Sequence, residues 1–382
     1  MLFRVLTLAL FLAVADARAV ILFETGDPST NTTAPTGNLA GSGWQFEGTF
    51  GPFLGTPIAP NFFITAKHIG AADSVFYYNG NVYPVARQFN DAFSDFSIWQ
   101  ITGTFPTFAP LYTSGGETGQ QLVVFGRGTQ RGSEIILGGT LRGWNWGPGD
   151  RVERWGENVV NAIVQDGPAN AYLYATFDQD GVPNESHLSS GDSGGAIFLQ
   201  EGGVWKLAGI NYAVDDLYMS AVGGPFTAAV FDTRGFYFQD SSNPPHYTVI
   251  TGTKPQPTGF YSTQISAKLG WLYSVIDPAG DADGNGISNR LDYARALNAA
   301  ATAGPGAVAA TKATNALTFT YRKLTTPNNL QYAVEQSNDL VHWMPAAPNE
   351  SIVRSGDDVQ TVKASVPLSN TPTFLRIEIT GP

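Results

Sequence analysis

Through most of the chain, strand-like runs of four to ten positions, some alternating apolar with polar residues and some continuously apolar, are broken by Gly, Pro, Asn or Thr. Alternation with a period of two marks half-buried β-strands. The pattern predicts strands at Trp44–Phe53, Thr56–Thr65, Val75–Tyr78, Val82–Phe89, Ser97–Ile101 and Gln121–Phe125. It predicts further strands at Glu134–Leu141, Val159–Val164, Ala171–Phe177, Ala196–Leu199 and Trp205–Tyr212. Asn79-Gly80, between two of these runs, is a strong hairpin signal. So many short strands separated by turns imply an all-β barrel or sandwich.

Helical periodicity is first convincing at Ser262–Ile276. There Ile265, Leu269, Leu272, Val275 and Ile276 form one apolar stripe, and Asp277-Pro278 ends it. A short helical piece is expected to reach about Ala300, followed by an Ala/Gly/Thr-rich linker over 301–314. Strand-like alternation then resumes at Leu317, Phe319 and Tyr321, at Tyr332 and Val334, and at Leu375, Ile377 and Ile379. Residues 315–382 therefore read as a small separate β-sandwich, with Trp343 and Phe374 as expected core aromatics.

The first 19 residues follow a different pattern. Arg4 precedes an apolar run from Val5 to Val14, and Ala17-Arg18-Ala19 is a small-x-small cleavage site. This is a secretory signal peptide by pattern, too short to span a bilayer as a stable helix. The expectation is a secreted chain, extracellular or periplasmic, that starts at Val20 and has no membrane span. Composition narrows the field further. The chain has 382 residues, 43% of them hydrophobic, enough for a real core. It carries 21 basic and 32 acidic residues, a net charge of −11, with no basic stripe, which argues against nucleic-acid binding. It has no cysteine, which excludes disulfides, thiol catalysis and Cys-based zinc sites.

The stretch richest in chemistry is Ser189-Ser190-Gly191-Asp192-Ser193-Gly194-Gly195-Ala196-Ile197-Phe198. Its glycines let backbone approach a substrate and aim successive N–H groups at one point. Taken alone, it fits a tight turn, a serine nucleophile in a protease-type loop, or the G-x-S-x-G elbow of an esterase. A serine needs a base, usually a histidine oriented by a carboxylate. The histidines are His68, His187, His246 and His342. His68 ends the strand-like run Ile64-Thr65-Ala66-Lys67-His68, while His246 lies in a Pro-rich loop and His342 near the C-terminus.

Thr65-Ala66-Lys67-His68 resembles the Thr-Ala-Ala-His motif of trypsin/chymotrypsin-like serine proteases. Gly191-Asp192-Ser193-Gly194-Gly195 resembles their nucleophile motif. Asp95-Phe96-Ser97-Ile98-Trp99 resembles the strand opened by their aspartate, with Asp91 as a weaker competitor. Leu207-Ala208-Gly209-Ile210 and Tyr261–Leu272 resemble the strand after the nucleophile and the closing helix.

The resemblance covers roughly residues 40 to 276. It implies a double six-stranded antiparallel β-barrel with a C-terminal helix. It also implies hydrolysis of a protein or peptide substrate by Ser193, His68 and Asp95, with the Gly191 and Ser193 N–H groups as oxyanion hole. His187 stands six residues before Ser193, where trypsin-like preference needs an acid, so cleavage after Lys or Arg is not implied. His187 and Tyr212 are the expected pocket residues. Lys67 departs from the family's alanine. The start Val20-Ile21-Leu22-Phe23 is not the family's Ile-Val-Gly-Gly, so a pairing of Val20 with Asp192 stays open. A protease-fold binding protein without activity is the alternative function, and an esterase a weaker one.

Asp281, Asp283, Asn285, Ile287, Asn289 and Asp292 fall at positions 1, 3, 5, 7, 9 and 12 of an EF-hand-type loop, with Gly286 at position 6. Oxygen ligands at this spacing wrap a Ca²⁺ ion. The loop resembles dockerin-like and thrombospondin-type calcium loops, although a dockerin carries two. The expected cofactor is one structural Ca²⁺. The last segment resembles fibronectin-like modules appended to secreted bacterial enzymes, which suits binding of a surface or carbohydrate, or a spacer. The expected organisation is a signal peptide (1–19), protease domain (20–276), calcium loop (277–300), linker (301–314) and β-module (315–382), as a monomer.

Overall fold

Hairpins build the first half of the fold. β1 (Ile21–Leu22) precedes β2 (Gly48–Phe50), β3 (Phe53–Ala59), β4 (Phe62–Ala66), β5 (Val75–Tyr78), β6 (Asn81–Asn90) and β7 (Phe96–Ile101). Strands β2 to β7 close into a six-stranded barrel in the order β2-β3-β4-β7-β6-β5. Asn79 and Gly80 join β5 to β6 with φ of 48° and 74°, the double left-handed pair that matches strand twist. The interior is aromatic: Phe50, Phe63, Phe76 and Trp99 are buried together, and Phe63 stacks on Phe76 at 4.0 Å. The single run expected at Thr56–Thr65 is two strands, because Pro60 and Asn61 fold β3 back onto β4.

The computed structural model describes residues 20–166, 170–219, 225–239, 244–282, 284, 286–294, 309–313, 315–325, 330–355, 359–368 and 373–380. The expected signal peptide lies outside them, as do Asp283 and Asn285 of the calcium loop.

The second half contains β8 (Gln121–Gly126), β9 (Thr129–Leu137), β10 (Thr140–Gly149), β11 (Arg154–Val159), β12 (Ala162–Gln165), β13 (Ala171–Thr176), β14 (Ser186–His187), β15 (Ala196–Glu201) and β16 (Val204–Val214). The short strands β17 (Leu217–Tyr218), β18 (Pro225–Phe226), β19 (Ala228–Val230), β20 (Tyr237–Gln239) and β21 (Tyr247–Val249) lead to β22 (Gly259–Gln264). Seven strands form one antiparallel sheet, β11-β8-β15-β16-β22-β13-β12, one more than the six expected. Asn158 Nδ2 donates to Thr176 O at 2.8 Å and draws β11 against β13. The run expected at Glu134–Leu141 is a hairpin, since Gly138 and Gly139 take φ of 60° and 78° between β9 and β10.

The largest core lies between the halves. Ile64, Ala66, Phe96 and Ile98 of the barrel pack against Val123, Phe125, Ala196 and Phe198 of the sheet. Such a core needs β4 buried on both faces, and all five of its residues are buried. The expected helix Ser262–Ile276 is shorter. Residues 262–264 finish β22, pairing with β16, and the helix proper, α1, spans Leu269–Ile276. Sheet pairing outcompetes helical periodicity there because both faces of β22 are needed in the core. Leu269, Trp271 and Leu272 are buried, and Trp271 stacks parallel on Phe96 at 6.3 Å. Burial of this kind contributes ~1.5–3 kcal/mol per large apolar side chain.

After α1 comes α2 (Asn289–Ala294). The C-terminal module then follows with β23 (Ala309–Lys312), β24 (Ala316–Leu324), β25 (Gln331–Ser337), β26 (Met344–Pro345), β27 (Asn349–Ser355), β28 (Val359–Pro367) and β29 (Phe374–Thr380). Two sheets, β23-β24-β28-β27 and β26-β25-β29, enclose Phe319, Tyr321, Val334, Val362, Ala364 and Val366. The expected linker therefore ends in a strand, β23. The expected core aromatics lie elsewhere: Phe374 is exposed, and Trp343 sits under the Arg376 guanidinium at 4.5 Å.

Candidate active site

The two halves bring His68, Asp95 and Ser193 to one point. His68 stands in the short 3₁₀ turn that ends β4, and Asp95 immediately precedes β7, the strand paired with β4. Register places Ala66 opposite Phe96, so Lys67 comes level with Asp95, and the 3₁₀ turn carries His68, one residue further on, back over the Asp95 carboxylate. The contact is two-fold: His68 Nδ1 lies 2.6 Å from Asp95 Oδ2, and the His68 N–H donates to Asp95 Oδ1 at 2.9 Å. Ser193 comes from the other half, on the turn before β15. Its Oγ is 2.8 Å from His68 Nε2. Asp95 is buried, whereas the His68 side chain is 41% exposed. A hydroxyl, an imidazole and a shielded carboxylate in series can pass a proton from oxygen to nitrogen and stabilise the cation formed.

The Ser193 turn is fixed by its own sequence. Gly191 has φ 97°, and a Cβ there would stand 2.9 Å from Gly128 Cα. With Gly191 so turned, neither its N–H nor that of Ser193 donates to a protein group among the described residues. Asn211, almost fully buried, fastens the turn. Its Nδ2 donates to Phe125 O at 2.8 Å and Asp192 O at 3.1 Å, and its Oδ1 accepts from Ser262 Oγ at 3.1 Å. Sequence reasoning missed Asn211; its one signal was its place directly after the Leu207–Ile210 run.

Asp192 points inward. Its carboxylate accepts from Gly128 N at 2.7 Å, Ser189 N at 2.7 Å, Ser189 Oγ at 2.9 Å and Val20 N at 3.4 Å. Burial pushes its carboxyl up to about 6, against the pull of these donors. Val20 N thus stands beside Asp192, but the shorter bonds to its carboxylate come from Gly128 and Ser189. Val20, Ile21 and Leu22 are buried, and β1 pairs with β14, Ile21 opposite His187.

A cavity of about 240 Å³ opens beside Ser193, walled by Trp146, Leu188, Ser189, Tyr212, Val214 and Thr227 among others. Tyr212 is in place as expected. It meets the His68 ring edge-on at 5.9 Å and stacks on Tyr172 at 5.0 Å. His187 is not in the wall. It is fully buried behind it between Phe177 and Phe260, and its Nδ1 lies 2.7 Å from Leu188 O. Burial lowers its pKa to about 4, so it stays neutral near pH 7. Strand alternation explains the difference: β14 turns His187 inward and leaves Leu188 toward the cavity.

The esterase elbow does not fit. Ser193 is followed by β15, not by a helix, and His342 pairs with Asp339 on the C-terminal module. At the calcium loop, Gly286 N donates to Asp281 Oδ2 at 2.7 Å, with Gly284 and Gly286 at φ 73° and 82°. Asn289, expected as a ligand, closes the loop: its Oδ1 accepts from Ala282 N and its Nδ2 donates to Asp277 O, both at 2.8 Å. Asp292 is buried on α2. Among the described residues no three His, Cys, Asp or Glu side chains cluster closely enough to hold a metal.

No protein-family model matches the chain, and neither does any curated protein. Among solved structures, the inactive form of the Rv3671c protein from M. tuberculosis is similar over 61% of this chain and 88% of its own, at 14% identity and TM-score 0.33. The HtrA-type protease AlgW with a decapeptide is similar over 84% of this chain and 83% of its own, at 11% identity and TM-score 0.34. The murine norovirus NS6 protease is similar over 49% of this chain and 92% of its own, at 17% identity and TM-score 0.27. At these values the likenesses carry no functional argument.

Proposed function

We propose that the chain is a secreted serine endopeptidase. The observation that carries this reading is the continuous contact from Ser193 Oγ through His68 to Asp95, at 2.8 Å and 2.6 Å. In the proposed reaction Ser193 Oγ attacks the scissile carbonyl while His68 Nε2 takes its proton. The Gly191 and Ser193 N–H groups receive the oxyanion, at ~10²–10³ in rate per donor. His68 then protonates the leaving amine as the C–N bond breaks. A water molecule, deprotonated by His68, hydrolyses the acyl-enzyme and restores Ser193. Asp95 holds the imidazole tautomer throughout. A non-catalytic binding protein would have no use for this alignment.

The cavity supports a substrate class. Its large walls are Trp146, Leu188, Val214 and Tyr212, and the one charged residue among its described lining, Asp192, is spent on four internal donors. An apolar side chain before the scissile bond suits it, and a lysine or arginine would enter unpaired at a loss of about 10²-fold or more. The test is a peptide panel varying only that residue, with Ser193→Ala as control. Cleavage after Leu, Met or Phe, absent in the control, is expected. Preference for Lys or Arg would refute the pocket reading, and activity surviving in Ser193→Ala would refute the mechanism.

We read the Asp281–Asp292 loop as a structural Ca²⁺ site in which Asp281, the Ile287 carbonyl and Asp292 supply oxygens. Asp283 and Asn285 complete the set by spacing alone, and Asn289 shapes the loop. The ion would tie α1 to α2. No helix among the described residues is long and apolar enough to cross a membrane. Secretion through cleavage before Val20, a monomeric state and surface or carbohydrate binding by the C-terminal module remain proposals resting on sequence.

A further inference from the structure

We infer that Lys67 is a positioning residue for the Asp95 carboxylate, acting with the buried Lys268–Asp91 ion pair; the inference rests on the serine-peptidase reading above. Asp95 is presented by the turn of residues 91–95, which joins β6 to β7 and has little ladder support. Asp91 N donates to Phe96 O at 3.0 Å, and the carbonyls of Asp91 and Ser94 have no ladder partner. Lys67 supplies one. Its Nζ donates to Asp91 O at 2.8 Å and also to Ser94 O. Its own N–H donates to Asp95 O at 2.6 Å, and the next N–H, that of His68, donates to Asp95 Oδ1 at 2.9 Å. The residue beside the catalytic histidine therefore grips both ends of the turn that carries its carboxylate.

A second ammonium holds the turn from behind. Lys268 stands immediately before α1, and its Nζ reaches Asp91 Oδ2 at 2.6 Å. Ser94 Oγ donates to the same oxygen at 2.6 Å, and the Lys268 Nζ also lies 5.4 Å over the Phe93 ring. Both members of the pair are buried. Hydrogen bonds from an ammonium are roughly twice as strong as neutral ones. Lys67 is committed to two carbonyls of the turn, so it is not the cation of a substrate site. Two features that looked incidental in the sequence, a lysine in place of alanine and a rejected aspartate, become parts of one clamp.

The chain has no cysteine, so Lys67→Cys introduces a unique thiol. Alkylation with 2-bromoethylamine restores an ammonium on a side chain of lysine length; iodoacetamide gives a neutral control. Lys67→Cys should lower kcat on the order of 10²-fold, the effect of misplacing a reacting group by about 1 Å, and leave KM within about twofold. Aminoethylation should restore most of kcat, and carbamidomethylation should not. The deshielded proton between His68 and Asp95, read by NMR, should move in Lys67→Cys and return on aminoethylation. If that variant does not fold, the double variant Lys268→Met with Asp91→Asn removes the other grip without leaving a lone buried charge, and the same losses are expected. Unchanged kcat and an unmoved resonance in a folded variant would overturn the inference, as would failure of the ammonium to rescue. The resonance needs no turnover, so the clamp can be judged even if the peptidase reading fails.

Discussion

Consider a chain that begins at Val20 with a free amino group, beside one carrying a single extra alanine before it. The Val20 nitrogen lies 3.4 Å from Asp192 Oδ1, and Asp192 is 1% exposed. Without a cation there, burial raises the carboxyl from an ordinary 3.8 to about 6. At 1.36 kcal/mol per pH unit, that difference is about 3 kcal/mol, the cost of keeping Asp192 ionised at pH 8. The sign follows from protonation. A carboxyl raised in the folded state contributes stability that is complete below 3.8 and lost as pH rises through about 6. An ammonium at Val20 would offset that loss, so the two chains should differ little at pH 4 and most at pH 7–8. For a domain of this size, 3 kcal/mol corresponds to a melting difference of about 5–10 °C. Asp192 is bonded to the Ser189–Ser193 turn, so kcat/KM should fall in the extended chain as well. The assay is calorimetry and peptide hydrolysis on both chains from pH 4 to 8. Equal melting temperatures and activities at every pH would refute the reasoning.

Two further outcomes are expected. Gly194 has φ +83°, and a Cβ would fall 2.2 Å from Thr65 Oγ1 and 2.7 Å from Leu54 O. Gly194→Ala should therefore separate the two halves at the site, with a stability loss of at least about 2 kcal/mol by denaturant titration and loss of hydrolysis. A chelator should lower the melting temperature of the intact protein, and Asp281→Ala should abolish that response; no chelator effect would make the loop a turn only.

Legibility differed by the kind of signal. The candidates His68, Asp95 and Ser193 could be found because each sits beside a short, mostly apolar strand run, in motifs that resemble those of one family and follow its order. Strand positions were readable, but their divisions were not: Thr56–Thr65 and Glu134–Leu141 each hide a two-residue turn, Pro60-Asn61 and Gly138-Gly139, inside an otherwise strand-like run. The start of α1 was misplaced because the helix was begun at Ser262, ahead of its first stripe residue Ile265, whereas Ser262–Gln264 pair with β16 as the end of β22. His187 was assigned to the pocket by spacing, whereas the one-residue alternation of β14 puts Leu188 there. Asn211 and the Lys67–Asp91–Lys268 clamp were unreadable because their partners lie 19 to 177 residues away, brought together only in the folded chain.

The central claim is that Ser193 is a nucleophile activated by His68. A fluorophosphonate probe tests it, applied to the folded chain beginning at Val20 and followed by mass spectrometry of the peptide that carries residues 189–195. The account predicts one adduct per chain, on Ser193, absent in Ser193→Ala and slowed by about 10³-fold or more in His68→Ala. An adduct that persists in Ser193→Ala, or a folded chain that does not react, would contradict it.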